Sequence, residues 1–240
     1  MIQQINKFYK FEQFIFSQSQ NEEINLELLF KHIQITDEDF QTLTIGLGSL
    51  KNLILLKLGL DENHIGEDGL AQLGKELGNC QNLCDLNISL NDCQSVSDEG
   101  ISYLIEGLVN CTKIKNLALG LSNNQISQEG ASNIGKDLQR FLNLTSLALN
   151  LSQNQIFDQG AADLAFGLGK CVNLTHLELN FEEENNISDI GASSIGAALA
   201  NYLLGLNINS AYSKNQLKLN IQISIYNFNF TNLQDVKDSN

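Results

Sequence analysis

Every 30 or 31 residues, the apolar positions of this chain change period and start again. In the stretch from Leu144 to Asn173, Leu147, Leu149 and Leu151 alternate at period two, as on a strand with one buried face. Asn154 and Ile156 mark a turn, and Ala161, Leu164, Leu168 and Cys171 then recur at spacings of three and four, as on one face of a helix. A single unit of this kind leaves both apolar faces uncovered, so copies must stack against it. Matching segments start at 23, 53, 83, 114, 144 and 174, with steps of 30, 30, 31, 30 and 30. The chain is therefore a repeat array in which each copy leans on its neighbours.

The ends depart from the pattern. Residues 1–22 do not match the unit; Phe8, Phe11 and Ile15 fall at helical spacing, which predicts a short helix capping the open end. After Tyr202, Leu203, Leu206 and Ile208 offer a seventh strand without a helix to follow. Leu217, Leu219, Ile221, Ile223 and Ile225 then alternate, as in a β-strand or hairpin arm. The expected organisation is an N-terminal cap over 1–22, an array over 23–210, and a C-terminal extension over 211–240, first β and then a disordered tail.

The recurring run LxxLxLxLxxNxIxxxGxxxLxxxLxxC resembles the leucine-rich repeat, in the long variety of ribonuclease-inhibitor-like proteins. The resemblance covers roughly residues 23 to 210 and implies an α/β solenoid of six to seven repeats, a curved horseshoe with a parallel sheet inside and helices outside. One departure is visible: an extra Leu-x pair (Gly59-Leu60, Gly120-Leu121, Asn150-Leu151) is expected to lengthen each strand by one pleat.

The physics of the unit supports that architecture. Strands pair at about 4.8 Å, whereas packed helices need about 8–10 Å, so the sheet must line the concave side. Asn63, Asn124, Asn154 and Asn185 stand where each strand turns toward its helix, and an Asn side chain can satisfy both stranded amides and carbonyls there. Cys93 takes that place in the third copy. Gly69, Gly100, Gly130, Gly160 and Gly191 fall in the first helical turn, where a side chain would press on the adjacent copy. Acids precede them, favoured at the positive end of the helix dipole. Thr36 with Asp39 resembles a capping box.

Composition narrows the function. Twenty-eight acids against 14 bases give a net charge of −14, and Arg140 is the single arginine, which argues against a nucleic-acid partner. The same charge argues against an anionic membrane surface, and no apolar run approaches the ~20 residues of a membrane span. Lys10, Glu12 and Gln13 break up the aromatic N-terminus, so it does not read as a signal peptide. Five cysteines, an odd number, fit a reducing compartment; the expectation is a cytoplasmic protein, with the nucleus also open to it.

No catalytic constellation emerges. GASNIGK (Gly130–Lys136) and GLAQLGK (Gly69–Lys75) match all but the last position of a phosphate-binding P-loop, but Asp137 and Glu76 stand there and would repel phosphate. Both recur at one repeat position inside expected helices, so they belong to the repeat. Cys80, Cys111 and Cys171 share one inward helix position with Phe141 and Tyr202 and read as small core residues. Cys84 and Cys93, at opposite ends of one strand, cannot share a zinc ion. His32, His64 and His176 lack a nucleophile at the right spacing. The reading is no enzyme, no cofactor and no metal.

What remains is a surface. Strand residues between the Leu positions point into the concavity; the contact candidates are Asp85, Asn87, Asn116, Asn150, His176, Glu178, Asn180 and Glu182. The face runs from small and neutral (Ala118, Ala148) to acidic (Glu178, Glu182), which favours a basic protein surface as partner. The expected function is a monomeric, non-enzymatic scaffold that binds a protein on its concave face. Two alternatives stand beside it: regulation of a small GTPase, which the resemblance to the repeats of Ran GTPase-activating proteins implies, and the repeat portion of a larger protein, such as one bearing a kinase domain.

Overall fold

The computed structural model describes residues 6–8, 24–210, 220–225 and 228–231. Six parallel strands alternate with six helices: β2 (Ile24–Leu29), α1 (Asp37–Ser49), β3 (Leu53–Gly59), α2 (Glu67–Leu77), β4 (Asp85–Ser89), α3 (Asp98–Leu108), β5 (Asn116–Gly120), α4 (Gln128–Leu138), β6 (Ser146–Asn150), α5 (Phe157–Leu168), β7 (His176–Phe181) and α6 (Asp189–Ser210). The fold is a leucine-rich-repeat solenoid, with its sheet concave and its helices on the outer side. Strands β1 (Asn6–Phe8), β8 (Asn220–Ile225) and β9 (Phe228–Thr231) extend the sheet to nine in strict chain order.

Each strand meets the next in register, Leu86 with Leu117, Leu117 with Leu147, and Leu147 with Leu177. Those leucines, the inward helix residues Leu73, Leu104, Ile134 and Leu164, and the small Cys80, Cys111 and Cys171 form one continuous buried core. Burial pushes the thiols of Cys111 and Cys171 up to about 12 and those of Cys80 and Cys93 to about 11, as expected for desolvated structural cysteines.

The asparagine ladder forms, with one flaw. Asn154 Nδ2 donates to the carbonyls of Leu121, Leu151 and Ser152 at 2.9–3.1 Å, and its Oδ1 accepts from Ile126 N at 3.0 Å. Asn63 and Asn185 repeat the arrangement. Asn124 keeps its three donated bonds, but its buried Oδ1 has no partner. Cys93, in the copy before it, donates its thiol to Leu60 O at 3.4 Å.

The turn just ahead of the ladder uses a conformation that composition does not announce. His32, Glu62, Asp92, Asn123, Gln153 and Glu183, one per repeat, all have φ between 53° and 58°. None is glycine, although the left-handed region favours it. Stacking pins them: the Glu62 amide donates to Asn91 O at 3.0 Å and the Asp92 amide to Ser122 O at 2.9 Å.

Three expectations are corrected. The extra leucines do not lengthen the regular strand, since β4, β5 and β6 end at Ser89, Gly120 and Asn150. The backbone ladder instead runs on through the buried leucine into the turn, with Leu90 N donating to Gly120 O at 2.8 Å. Leu203, Leu206 and Ile208 lie within α6, which runs for 22 residues; the seventh strand of the sheet's regular order is β8, whose Ile221 and Ile223 register with Leu177 and Leu179. Phe8 lies on a strand, β1, paired parallel with β2, rather than on a capping helix: the edge of β2 carries backbone groups that another strand can satisfy. Phe11, Ile15, Leu217, Leu219 and the tail after 231 lie outside the described residues. The hairpin arm expected near the C-terminus is present, as β9 pairs antiparallel with β8.

The glycines of the first helical turn hold the expected close contacts. A Cβ on Gly100 would come within 2.9 Å of Leu70 Cδ1, and one on Gly160 within 2.8 Å of Gln128 Cα. A second set went unread in the sequence. Gly107 packs on the backbone of Gly74, and Gly167 on that of Gly135. Helices α2 and α3, and likewise α4 and α5, therefore touch backbone to backbone. Between α3 and α4 the same positions carry Ile105 and Asp137, which hold those two helices further apart.

Candidate functional site

The concave surface is built from rows of side chains, each row fixed by strand register. One runs Leu55, Asp85, Asn116, Ser146, His176; the next runs Lys57, Asn87, Ala118, Ala148, Glu178. Because Ala118 and Ala148 are short, the centre of the sheet sinks into a depression of about 200 Å³ across β3 to β6, walled by Lys57, Asp85, Asn87 and Asn116. The apolar side chain of Leu55 contributes to it, a residue that the alternation in the sequence had not singled out.

The structure thus brings five of the eight contact candidates, Asp85, Asn87, Asn116, His176 and Glu178, into two adjoining rows, and sets Glu182 apart, past the third row. Asp85, Asn87 and Asn116 line the depression, with the Asn116 amide donating to the Asp85 carboxylate. His176 and Glu178 stand exposed on β7, one strand away from Ser146 and Ala148, and Glu182 is exposed just beyond the end of that strand. His176 Nδ1 lies 2.9 Å from Thr175 Oγ1.

Asn150 and Asn180 behave differently. They share a third row, half-buried, and each turns its side chain back on its own chain. Asn150 Oδ1 accepts from Ser152 N at 3.1 Å and Ser152 Oγ at 2.9 Å; Asn180 Oδ1 accepts from Glu182 N at 2.9 Å. Both shape the turn after the strand, as Asx residues do. Beyond them a polar ladder is largely self-satisfied: Asp61 accepts from Ser89 Oγ and Asn91 N, Asn91 accepts from Ser122 N, and Ser152 donates to Ser122 Oγ.

Charge is uneven along this surface. Among the described residues, ion pairs join Lys31 to Glu62 and Arg140 to Asp137, His32 Nδ1 lies 3.1 Å from the Glu62 carboxylate, and no ion pair reaches Glu178 or Glu182. The Lys31 ammonium holds the Glu62 carboxyl below its usual range. The Glu183 carboxylate, beside Glu182, accepts from the neutral Gln153 side-chain amide at 2.6 Å. The sixth repeat is therefore a run of carboxylates that make no ion pair among the described residues, with Glu178 next to the small-residue depression. The described residues hold no group of three metal-ligating side chains, and the P-loop-like segments lie within α2 and α4.

No family model matches the sequence, and no curated protein is similar to it at a significant level. Among solved structures, the chain is similar to the tropomodulin C-terminal domain from Caenorhabditis elegans, with 14% identity over 73% of this chain and 99% of that one and a TM-score of 0.45. It is also similar to actin-binding site 2 of leiomodin-1, with 16% identity over 61% of this chain and 79% of that one, again with a TM-score of 0.45.

Proposed function

We propose that this chain is a non-enzymatic protein-interaction module whose concave sheet receives a partner carrying a basic surface. One observation carries the reading: Glu178, exposed and in no ion pair among the described residues, is the strand neighbour of Ala148 at the edge of a depression floored by Ala118 and Ala148, with the exposed Glu182 four residues further along the chain. The depression admits a bulky side chain, and the carboxylates, focused by a concave wall, draw basic groups toward it. Buried thiols with raised pKa values make poor nucleophiles, which supports the non-enzymatic part. An odd number of thiols cannot all pair within one chain, so the reading includes a reducing compartment, cytoplasm or nucleus. The 30- and 31-residue steps, each with a full helix, support a ribonuclease-inhibitor-like repeat type. No residue of the concave face favours the small-GTPase alternative.

The test begins with capture of partners from the source cell on the whole chain. Ala148→Arg fills the depression and should abolish capture of a concave-face partner. Glu178→Lys with Glu182→Lys should slow association about tenfold at low salt and flatten its salt dependence, since exposed charges act mainly on association rate. A partner whose binding ignores both variants docks elsewhere, and the reading fails.

A further inference from the structure

The net charge of −14 conceals a separation of charge across the array. Of the nine bases between residues 24 and 199, seven lie in the last turn of a helix or in the loop leading from helix to strand. Acids crowd the opposite edge, in the turn after each strand and the first turn of each helix. An 11-residue helix such as α4 separates the two edges by about 16 Å. That is about two Debye lengths at physiological ionic strength. Each edge therefore acts on its surroundings largely on its own.

On the basic edge, three large apolar side chains stand in solvent: Leu142 at 73% exposure, Phe166 at 64% and Val172 at 68%. The second and third repeats are polar at the matching positions, with Gln81 and Thr112 in place of Leu142 and Val172 and Lys75 and Glu106 in place of Phe166, whereas the first repeat has the exposed Ile45 at the Phe166 position. The backbone contact of Gly135 with Gly167 draws α4 and α5 together and so gathers the three. Phe166 precedes Gly167, and the amide of Asn173 reaches across to the Leu142 carbonyl at 2.7 Å. Lys170 Nζ sits 4.6 Å from the centroid of the Phe166 ring. Lys136 is exposed at the end of α4, and Arg140, paired with Asp137 at 3.2 Å, keeps half of its side chain in solvent.

We propose that this edge docks on an anionic lipid bilayer, with Leu142, Phe166 and Val172 entering the headgroup layer and Lys136, Arg140 and Lys170 meeting the lipid charges. The apolar side chains project from two successive loops and a helix end. A fluid layer accepts such separate prongs, whereas an acidic protein would need a groove matched to them. Lysine and arginine close to an anionic surface add attraction that decays within a Debye length, so the distant acidic edge does not cancel it. The docking is peripheral; among the described residues no helix is long and apolar enough to cross a membrane.

The experiment uses the whole chain and sedimented vesicles of phosphatidylcholine with or without 30% phosphatidylserine. The wild type should partition at least tenfold better onto the phosphatidylserine vesicles at ~0.1 M salt and lose that preference at ~0.5 M. Leu142→Ser with Phe166→Ser and Val172→Ser should lose at least tenfold in partitioning while keeping the wild-type thermal midpoint to within a few degrees, because all three side chains are already exposed. Lys136→Gln with Arg140→Gln and Lys170→Gln should remove the phosphatidylserine preference. The chain has no Trp, so Phe166→Trp supplies a single reporter whose emission should shift to the blue on phosphatidylserine vesicles. Absence of a phosphatidylserine preference in the wild type, equal partitioning of the serine variant, an unshifted reporter, or full displacement by soluble polyglutamate overturns the proposal; the last would assign the edge to an acidic protein.

Discussion

A Cβ on Gly167 would fall on the backbone of Gly135. Nothing larger than glycine at the two positions allows α4 and α5 to approach as they do, and Gly74 with Gly107 serves α2 and α3 in the same way. Overpacking such a contact costs about 1–3 kcal/mol or more. Gly135→Ala should therefore lower stability by at least that amount in urea melts. Gly196 occupies the same repeat position in α6, yet a Cβ there meets nothing within 4 Å. Gly196→Ala should raise stability by about 0.4–1 kcal/mol, chiefly by restricting the unfolded chain. If the two substitutions shifted the midpoint in the same direction, the helix spacing described above would be wrong.

The ladder asparagines should not be equal. Asn154 is fully paired, whereas Asn124 leaves its Oδ1 without a donor. Asn154→Ala is expected to cost about 1–3 kcal/mol, and Asn124→Ala less by about 1 kcal/mol, the worth of one hydrogen bond. Denaturant melts of the two variants at one pH decide it. Asn150→Ala should cost about 0.5–1.5 kcal/mol, because Asn150 holds the Ser152 turn.

Asp158 gives the fold an acid-sensitive contact between repeats. The Ser188 hydroxyl and amide both donate to its carboxylate at 2.6 Å and hold its pKa below the usual aspartate range. A depressed folded-state pKa means that the contribution is complete above the unfolded value of about 3.9 and disappears as pH falls through the folded one. Asp158→Asn should be less stable than wild type at pH 6, and the gap should shrink below about pH 4. A gap that does not change with pH would assign the loss to packing instead of charge.

Thiol chemistry should sort the five cysteines by burial. Cys80, Cys93, Cys111 and Cys171 are buried, with pKa values pushed up to about 11–12, and Cys84 is half-buried. A disulfide reagent at pH 8 should label one thiol quickly, Cys84, and the other four only at the rate of unfolding. Rapid labelling of two or more in the native protein would show that the helix ends are not packed as described.

The sequence by itself determined the repeat, its period and its inward face. Leucine at period two and then at three and four can satisfy burial in only one way, so Leu147, Leu164 and the ladder residue Asn154 could each be placed from spacing alone. It also placed the concave candidates, because strand alternation fixes facing: Asp85, Asn87 and Asn116 do line one depression. Facing does not fix use. Asn150 and Asn180 lie on the expected side, but their amides are taken up by Ser152 and Glu182, partners that only the turn geometry brings within reach. Residues 203–208 are expected on a strand, and in the structure they continue helix α6.

Tertiary structure alone decided how copies differ. Gly135 and Gly167 are unremarkable in a chain with 18 glycines until two helices bring their backbones into contact. Leu142, Phe166 and Val172 fall outside the inward pattern and read as noise in sequence, yet α4, α5 and their loops collect them on the edge that holds most of the bases found between residues 24 and 199. The left-handed turn at Glu62, Asp92 and Gln153 is likewise silent in sequence, because hydrogen bonds to the next copy impose it rather than a glycine's freedom. Periodicity records what each repeat shares, set by burial; close approach between particular neighbours depends on both partners and exists only once the array is stacked.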